Sequence, residues 1–273
     1  MIRLPRAFAV VAGVLTLTTI SATSARAQYG RPNVSDPAIG EKYHVEAVLN
    51  LWNPSLDATI SSESLGIIGS EIDVKADLGY QDKSIREFRF VLRPGRKHKF
   101  RVAYTPVSLD SDILLQKEII FNGIRFNIGL PLQSEFKWNT WRFGYEYDFV
   151  YRDRFYAGFI LEGRYMDASL NLRTPIDDEF AEARGVLPAV GGIVRGYVHE
   201  RVSITGEMVG MKVPEIQDYF GSFFDLDIYG TVNITNNFGV QAGYRWLDAS
   251  YEAELDTGDL EMKGLYFTGV VRF

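Results

Sequence analysis

The closing segment of the chain, residues 261–273, constrains the fold more than any other feature. Leu265, Phe267, Val271 and Phe273 recur at odd positions, with polar or small residues between most of them. Successive residues of a strand point to opposite faces, so this spacing predicts a two-faced β-strand that ends on an aromatic residue. A strand with one continuous apolar face must bury that face or place it in lipid, which favours an all-β protein.

The start of the chain predicts export. Arg3 and Arg6 precede an apolar run over residues 7–17, and Ala25 and Ala27 supply the small residues that a signal peptidase reads. This pattern is typical of a secretory signal peptide, residues 1–27. The alternative is an amino-terminal membrane anchor, but the run is shorter than the ~20 residues that a spanning helix needs. Residues 28–42 hold two prolines and two glycines, and we interpret them as a flexible periplasmic lead-in.

Composition narrows the class further. No later stretch approaches ~18 uninterrupted apolar residues, so no transmembrane helix is predicted. The chain has no cysteine, and removing the three arginines of the signal peptide takes its formal charge from −6 to −9. An acidic chain of this kind is not expected to bind nucleic acid.

From residue 43 to 273, segments of about ten residues alternate apolar and polar side chains, as transmembrane strands do. Four connections are short and five are long. The short ones are 94–98, 151–154, 199–201 and 235–237, and the long ones are roughly 53–84, 110–134, 168–187, 213–221 and 250–260. This predicts an antiparallel up-and-down barrel of about ten strands, with eight or twelve as alternatives, and with both termini in the periplasm. Within the long connections, Asn122–Gly123 predicts a hairpin, and residues 71–79 are expected to fold against the barrel rim.

One face of the predicted strands is rich in aromatic and aliphatic residues, including Phe88, Phe143, Phe159 and Tyr244. We interpret this face as lipid-facing. Aromatic residues near the strand ends are expected to form two interfacial girdles, with Tyr151 in the lower one and Trp52 and Trp138 in the upper one.

The opposite face is charged and predicts a lumen in which acids and bases pair. Isolated charges there would cost several kcal/mol each. A largely plugged lumen is the first interpretation, and a narrow water-filled pore is the second. The predicted lumen charge network consists of Glu46, Glu87, Arg89, Arg101, Arg142, Glu146, Glu162, Arg164, Arg195, Glu207, Asp225, Asp227, Arg245 and Arg272.

Catalytic and metal-binding patterns are weak. The three histidines, His44, His98 and His199, all fall near the predicted periplasmic end, and His199 with Ser203 only loosely fits a hydrolase pair. No catalytic residue, cofactor or metal ligand is therefore predicted. Two acidic loop clusters could hold Ca²⁺ or Mg²⁺, although solvated loops are the commoner meaning of such clusters. They comprise Asp177, Asp178, Glu179 and Glu182, and Glu252, Glu254, Asp256, Asp259 and Glu261.

The signal peptide, the alternation of short and long connections and the closing strand 264–273 together resemble the small outer-membrane β-barrel superfamily, which includes OmpA-like, OmpX-like and OmpW-like proteins. The resemblance implies the outer membrane of a Gram-negative-type cell and contact with its lipids and lipopolysaccharide. It also implies an assembly signal, Phe273 with Tyr266, that the barrel-assembly machinery reads. It leaves the subfamily and the oligomeric state open.

Three functions remain, from different classes. The first is a structural or surface-interaction role for loops carried on a plugged barrel. The second is a small porin for polar solutes, and the third is an enzyme acting on outer-leaflet lipid. Fold-level analogy does not choose among them, because one fold supports many functions.

Overall fold

The computed structural model describes residues 37–62, 69–216, 219–253 and 256–273. The predicted signal peptide and residues 28–36 of the lead-in lie outside the described residues. Thirteen strands are present: β1 (Val45–Ser62), β2 (Ile72–Asp73), β3 (Ile85–Gly95), β4 (His98–Leu114), β5 (Ile119–Phe121), β6 (Ile124–Phe126), β7 (Pro131–Arg152), β8 (Phe155–Arg173), β9 (Asp178–His199), β10 (Val202–Ile216), β11 (Tyr219–Asn233), β12 (Phe238–Ala253) and β13 (Asp256–Arg272). Within the described part of the chain, no helix is long and apolar enough to cross a membrane.

Ten of these strands form one closed antiparallel barrel. Its order is β1, β3, β4, β7, β8, β9, β10, β11, β12 and β13, and β13 returns to pair with β1 from Arg272 opposite Glu46 to Asp256 opposite Ser62. Closure leaves no sheet edge at this seam, so every backbone group there has a partner. The prediction of an all-β antiparallel barrel with ten strands is confirmed.

The four short connections lie together at one end of the barrel, with His44 and Phe273. We call this the turn end and the opposite end the loop end. All five predicted long loops are wrong in extent, because strands run into each of them. β1 continues to Ser62, β4 continues to Leu114 and β7 begins at Pro131. The predicted loop 168–187 is mostly strand, because β8 runs to Arg173 and β9 starts at Asp178. Similarly, β10 continues to Ile216 and β12 to Ala253. The alternation of side chains persists beyond the apolar belt, which sequence reasoning took as the limit of each strand.

The hairpin predicted at Asn122–Gly123 is confirmed. β5 and β6 pair antiparallel, and both turn residues have positive φ, 49° at Asn122 and 78° at Gly123. This is the geometry that a two-residue hairpin turn requires and that Asn-Gly supplies at low cost.

The polarity of the two barrel faces inverts along the strands, as β1 shows. Near the turn end Leu49 and Leu51 point outward and Glu46 points inward, whereas near the loop end Asp57 points outward and Leu56 is buried inside. The lower part therefore has an apolar exterior, which we call the apolar belt. The upper part resembles a water-soluble barrel, with a polar exterior and an apolar interior.

The apolar interior at the loop end, here called the apolar layer, includes side chains from the walls and from the connections. Residues 72–80 and the β5–β6 hairpin fold into it, so the expectation that 71–79 pack at the rim understated their burial. Members of the layer include Trp52, Leu56, Ile72, Val74, Leu78, Tyr80, Ile85, Val107, Leu115, Ile119, Phe126, Leu132, Trp138, Phe223 and Leu247.

Three girdle assignments are wrong. Trp52 and Trp138 belong to the apolar layer, and Tyr151 is buried inside the turn end against Tyr156. All three lie on the lumen side of their strands, where their rings fill the interior of the barrel. Outward apolar residues do form a continuous belt, which includes Phe88, Phe90, Leu92, Trp141, Phe143, Phe149, Phe155, Phe159, Leu161, Phe238, Val240, Tyr244 and Trp246.

Candidate functional site

Below the apolar layer, every one of the ten barrel strands places at least one charged side chain in the lumen. All fourteen predicted network residues point inward there. Twelve are buried, while Arg89 and Asp227 are half-buried. Because the strands alternate with period two, a correct assignment of one inward residue fixes the others on the same regular strand.

The centre of the network is a pair of carboxylates, Glu87 on β3 and Asp225 on β11, held by three arginines. Arg142 Nη2 and Arg245 Nη1 each lie 2.7 Å from Glu87 Oε2. Arg245 also donates to both oxygens of Asp225, at 2.8 and 2.7 Å. Arg164 Nη2 lies 2.9 Å from Asp225 Oδ2. Two acids shared by three guanidinium groups connect strands from around the barrel wall, and planar guanidinium groups suit such bridging.

A second group of charges lies nearer the turn end. Arg101 on β4 contacts Glu207 on β10 and Glu146 on β7, with Nη1 to Glu146 Oε2 at 3.3 Å. Lys99 lies 2.5 Å from Glu146 Oε1 and 3.1 Å from Asp148 Oδ2. Sequence analysis missed Lys99 and Asp148, although both continue the alternation of Arg101 and Glu146.

Aromatic rings separate the charged lumen from the apolar layer. The guanidinium carbon of Arg164 lies 4.0 Å from the ring centroid of Phe223, and that of Arg245 lies 5.1 Å from Trp52. A cation over a ring face is attracted by the ring's quadrupole. These contacts let the arginines face acids on one side and apolar residues on the other.

The turn end is covered from inside by residues 37–42, which the sequence assigned to a flexible lead-in. In this part of the lead-in, Ala38 N donates to Asp153 O at 3.3 Å and Ile39 N donates to Glu200 O at 2.9 Å. Gly40 has a φ of +86°, and an added Cβ would meet Asn233 and Arg272. The segment therefore crosses the mouth of the barrel and contacts turns of two hairpins.

Glu41 anchors this segment and was not predicted. Its Oε2 lies 3.1 Å from Arg93 Nη1, its Oε1 lies 3.1 Å from Arg195 Nη1, and Tyr197 donates to Oε1 at 2.5 Å. Burial acts to raise the pKa of Glu41, but the positive charges of Arg195 and Arg93 outweigh it and lower the pKa to about 2. Arg93 could have been found from the alternation Arg89, Val91, Arg93, whereas Glu41 precedes every strand and carries no such signal.

Five network members remain, of which Glu162 pairs with Arg164 on the same strand. Arg272 Nε lies 2.6 Å from Glu46 Oε2, and Tyr266 donates to Asp227 Oδ1 at 2.6 Å. Arg89 makes no ion pair within 4.0 Å among the described residues. With the four additional residues, the lumen holds equal numbers of acids and bases. The acids are Glu41, Glu46, Glu87, Glu146, Asp148, Glu162, Glu207, Asp225 and Asp227, and the bases are Arg89, Arg93, Lys99, Arg101, Arg142, Arg164, Arg195, Arg245 and Arg272.

The two residues of the predicted assembly signal have different environments. Phe273 is 70% exposed at the turn end, and its backbone pairs with Val45. Tyr266 is buried in the lumen. Of these two residues, only Phe273 presents its ring to the outside of the folded barrel.

The loosely matched hydrolase pair is not assembled. His199 Nδ1 faces Arg201 N at 3.3 Å, and the buried Ser203 Oγ has no hydrogen-bond partner in the part of the chain that the structure describes. His44 contacts Arg93 O, and His98 contacts the hydroxyl of Tyr145. All three histidines lie at the turn end.

The acidic loop clusters do not converge. Asp178 pairs with Arg173 at 3.0 Å and Glu182 with Arg184 at 3.3 Å, while Lys263 pairs with Glu261. Glu254 lies outside the described residues. Where side chains are described, no three histidine or carboxylate groups come together as metal ligands would.

A closed antiparallel barrel with an apolar outer belt is the fold of outer-membrane β-barrel proteins, so the resemblance found in the sequence is confirmed at the level of the fold. The chain matches the outer-membrane protease OmpT of Escherichia coli with a TM-score of 0.57 at 9% identity, over 88% of this chain and 100% of that one. At this identity the match concerns the fold alone.

Weaker matches are also to barrels. They include Ail, the attachment invasion locus protein of Yersinia pestis (TM-score 0.39, 8% identity, 85% of this chain and 99% of that one), and the toluene transporter TbuX of Ralstonia pickettii (TM-score 0.39, 12% identity, 88% and 92%). No protein-family model and no curated protein matches the chain.

Proposed function

We propose that this chain is an integral outer-membrane protein whose lumen is closed and whose function lies in surfaces presented at the loop end. The observation that carries the proposal is the occupied lumen. Glu87 and Asp225, bound by Arg142, Arg164 and Arg245, fill its middle, and the apolar layer fills its upper part.

The energetics favour a closed lumen over a porin. A buried guanidinium or carboxylate that loses its partner costs about 3–5 kcal/mol, so these side chains have little freedom to move aside for a solute. Above them, Trp52 and Phe223 replace the polar lining that a solute pathway needs. A porin would require the lumen charge network and the apolar layer to open together.

The proposed placement follows from the two barrel ends. Barrels of this class put short turns in the periplasm and long connections outside the cell. The turn end would then face the periplasm, where Phe273 is accessible to the barrel-assembly machinery. The apolar belt would contact membrane lipid, and the polar exterior of the loop end would lie among lipopolysaccharide.

We also propose that the protein is not an enzyme. A catalytic centre that used a histidine base outside the cell would need a histidine at the loop end, and all three histidines lie at the other end. Apart from Asp227, which accepts a hydrogen bond from Tyr266, the lumen carboxylates pair with arginine or lysine, which disfavours a role as general bases.

Site-specific labelling of whole cells tests the placement. The chain has no cysteine, so Arg125→Cys on β6 and Arg154→Cys in a short turn each create a single thiol. A membrane-impermeant maleimide should label the first in intact cells and the second only after lysis. Labelling of Arg154→Cys in intact cells would contradict the proposed orientation.

A further inference from the structure

The upper barrel wall is split in two places, and the described residues of the chain cover only one of the two splits. Between β1 and β4, residues 69–84 fill the gap. Val74 N donates to Ala58 O at 2.9 Å, Asp82 accepts from Leu56 N at 3.0 Å, and Lys83 Nζ donates to Ser108 O at 2.9 Å. These bonds join the segment to backbone groups on both sides of the gap.

The second split lies between β9 and β10. Their pairing runs from His199 opposite Val202 to Val190 opposite Gly210 and stops there. Beyond that point β9 continues to Asp178 on β8 alone, while β10 continues on β11 alone. Among the described residues, nothing pairs with the outer edge of β9 over residues 178–189, which we call the open edge.

The register shows which backbone groups the open edge presents. Tyr197 N donates to Arg154 O, which places the N–H and C=O of odd-numbered β9 residues toward β8. Antiparallel strands alternate these directions, so Phe180, Glu182, Arg184 and Val186 direct both groups away from β8. Pro188 falls in the same series, where a missing N–H breaks no bond to β8.

We propose that the open edge binds an extended polypeptide segment of a partner protein by strand addition, which specifies the kind of partner that the proposed surface function would serve. An exposed row of alternating N–H and C=O groups is a template for another strand, and strand addition takes affinity from the main chain and specificity from alternate side chains. The β1–β4 split provides the comparison, because there the chain's own residues occupy the equivalent position.

The side chains of the open edge define the partner's chemistry. On the lumen side of β9, Ala183 and Gly185 leave space beside the half-buried Leu187. An incoming strand can fill this space with larger apolar residues at every second position. The outward side carries Asp178, Glu182 and Arg184, of which Arg184 is already paired with Asp167 at 3.2 Å. Asp178 pairs with Arg173, and Glu182 shares Arg184 with Asp167, so three acids face two bases on this side. The one net negative charge favours basic residues on the partner's other face.

Hydrogen exchange at single-residue resolution tests the proposal on the folded full barrel, with a twelve-residue peptide of alternating valine and lysine as the probe. In the free protein, the amides of Phe180, Glu182, Arg184 and Val186 should exchange rapidly, and their odd-numbered neighbours slowly. The peptide should slow exchange at these even positions at least about tenfold. The same peptide with alternate amides N-methylated should leave them unchanged.

Glu182→Pro removes one edge N–H without removing a bond to β8, and it should abolish the peptide-dependent protection. The matched variant Glu182→Thr removes the same charge, keeps the N–H, and should retain the protection. Equal protection by the N-methylated peptide, or protection unaffected by Glu182→Pro, would indicate charge or detergent contact and overturn strand addition. Absence of any protection at the even positions would also overturn it. None of these outcomes bears on whether the lumen conducts ions, so the closed-lumen proposal stands or falls on conductance alone.

Discussion

Arg101 Nη2 lies 2.8 Å from both carboxylate oxygens of Glu207, across the lumen from β4 to β10. These strands are separated by three others on one side of the barrel and five on the other. The ion pair therefore connects nearly opposite walls of the barrel. Both side chains are buried, so each charge depends on the other for much of its stabilisation.

A double-mutant cycle should reveal this dependence. We expect Arg101→Met and Glu207→Met each to lower the free energy of unfolding, because each leaves one buried charge with fewer partners. The double variant should lose much less than the sum, with a coupling energy of about 2–3 kcal/mol. Urea unfolding in lipid vesicles measures the four values, and additive losses would show that the two side chains do not interact.

Two arginines on β8 form a matched pair for testing burial. Arg164 and Arg173 each contact an aspartate, Asp225 at 2.9 Å and Asp178 at 3.0 Å, but their side chains are 2% and 56% exposed. Arg164→Ala should destabilise the barrel by about 3–5 kcal/mol, because it takes a charged partner away from buried carboxylates. Arg173→Ala should cost less than about 1 kcal/mol. Similar losses for both variants in the same unfolding assay would contradict the importance of burial.

Acid stability should depend on Glu41, which lies ahead of β1. Its pKa is lowered to about 2 in the folded protein, against about 4.3 in an unfolded chain. A lowered pKa stabilises the fold above the unfolded value, and this contribution, about 3 kcal/mol, is lost as the pH falls from about 4.3 to 2. Glu41→Gln should be less stable at neutral pH and should flatten this part of the pH profile. An unchanged slope between pH 4.3 and 2 would count against the ion pairs with Arg93 and Arg195.

The segment that covers the β1–β4 split depends on Leu78, which is fully buried in the apolar layer. Leu78→Ala should cost about 2–5 kcal/mol through the cavity it leaves. It should also make residues 69–84 more susceptible to limited proteolysis. Leu114→Ala, at a side chain that is 59% exposed, is the control and should change neither property. Faster cleavage in both variants would show that core packing does not hold residues 69–84 in place.

The sequence predicted the part of the barrel that carries the apolar belt better than the part above it. Period-two alternation was enough to orient Phe88 outward and Glu87 inward, because an apolar exterior and a paired, charged interior make the two faces chemically distinct. Above the belt the polarity inverts, so Trp52 and Trp138 seemed to fit an outer girdle although they fill the interior. The same inversion hid the upper halves of β8 and β9 within a predicted loop.

Long-range contacts account for the other differences. Glu41 is separated from Arg195 by more than 150 residues, and nothing local marks it as a lumen residue. The open edge of β9 likewise depends on where pairing with β10 stops. That point is set by three-dimensional register, since both strands continue to alternate beyond it.

Single-channel recording of the refolded protein in a planar lipid bilayer tests the closed lumen most directly, with folding verified by a heat-modifiable gel shift. The paired charges around Glu87 and Asp225 and the apolar layer above them predict a silent bilayer over the usual voltage range. Stable ohmic openings from the folded, unmodified protein would contradict the closed lumen and favour a channel.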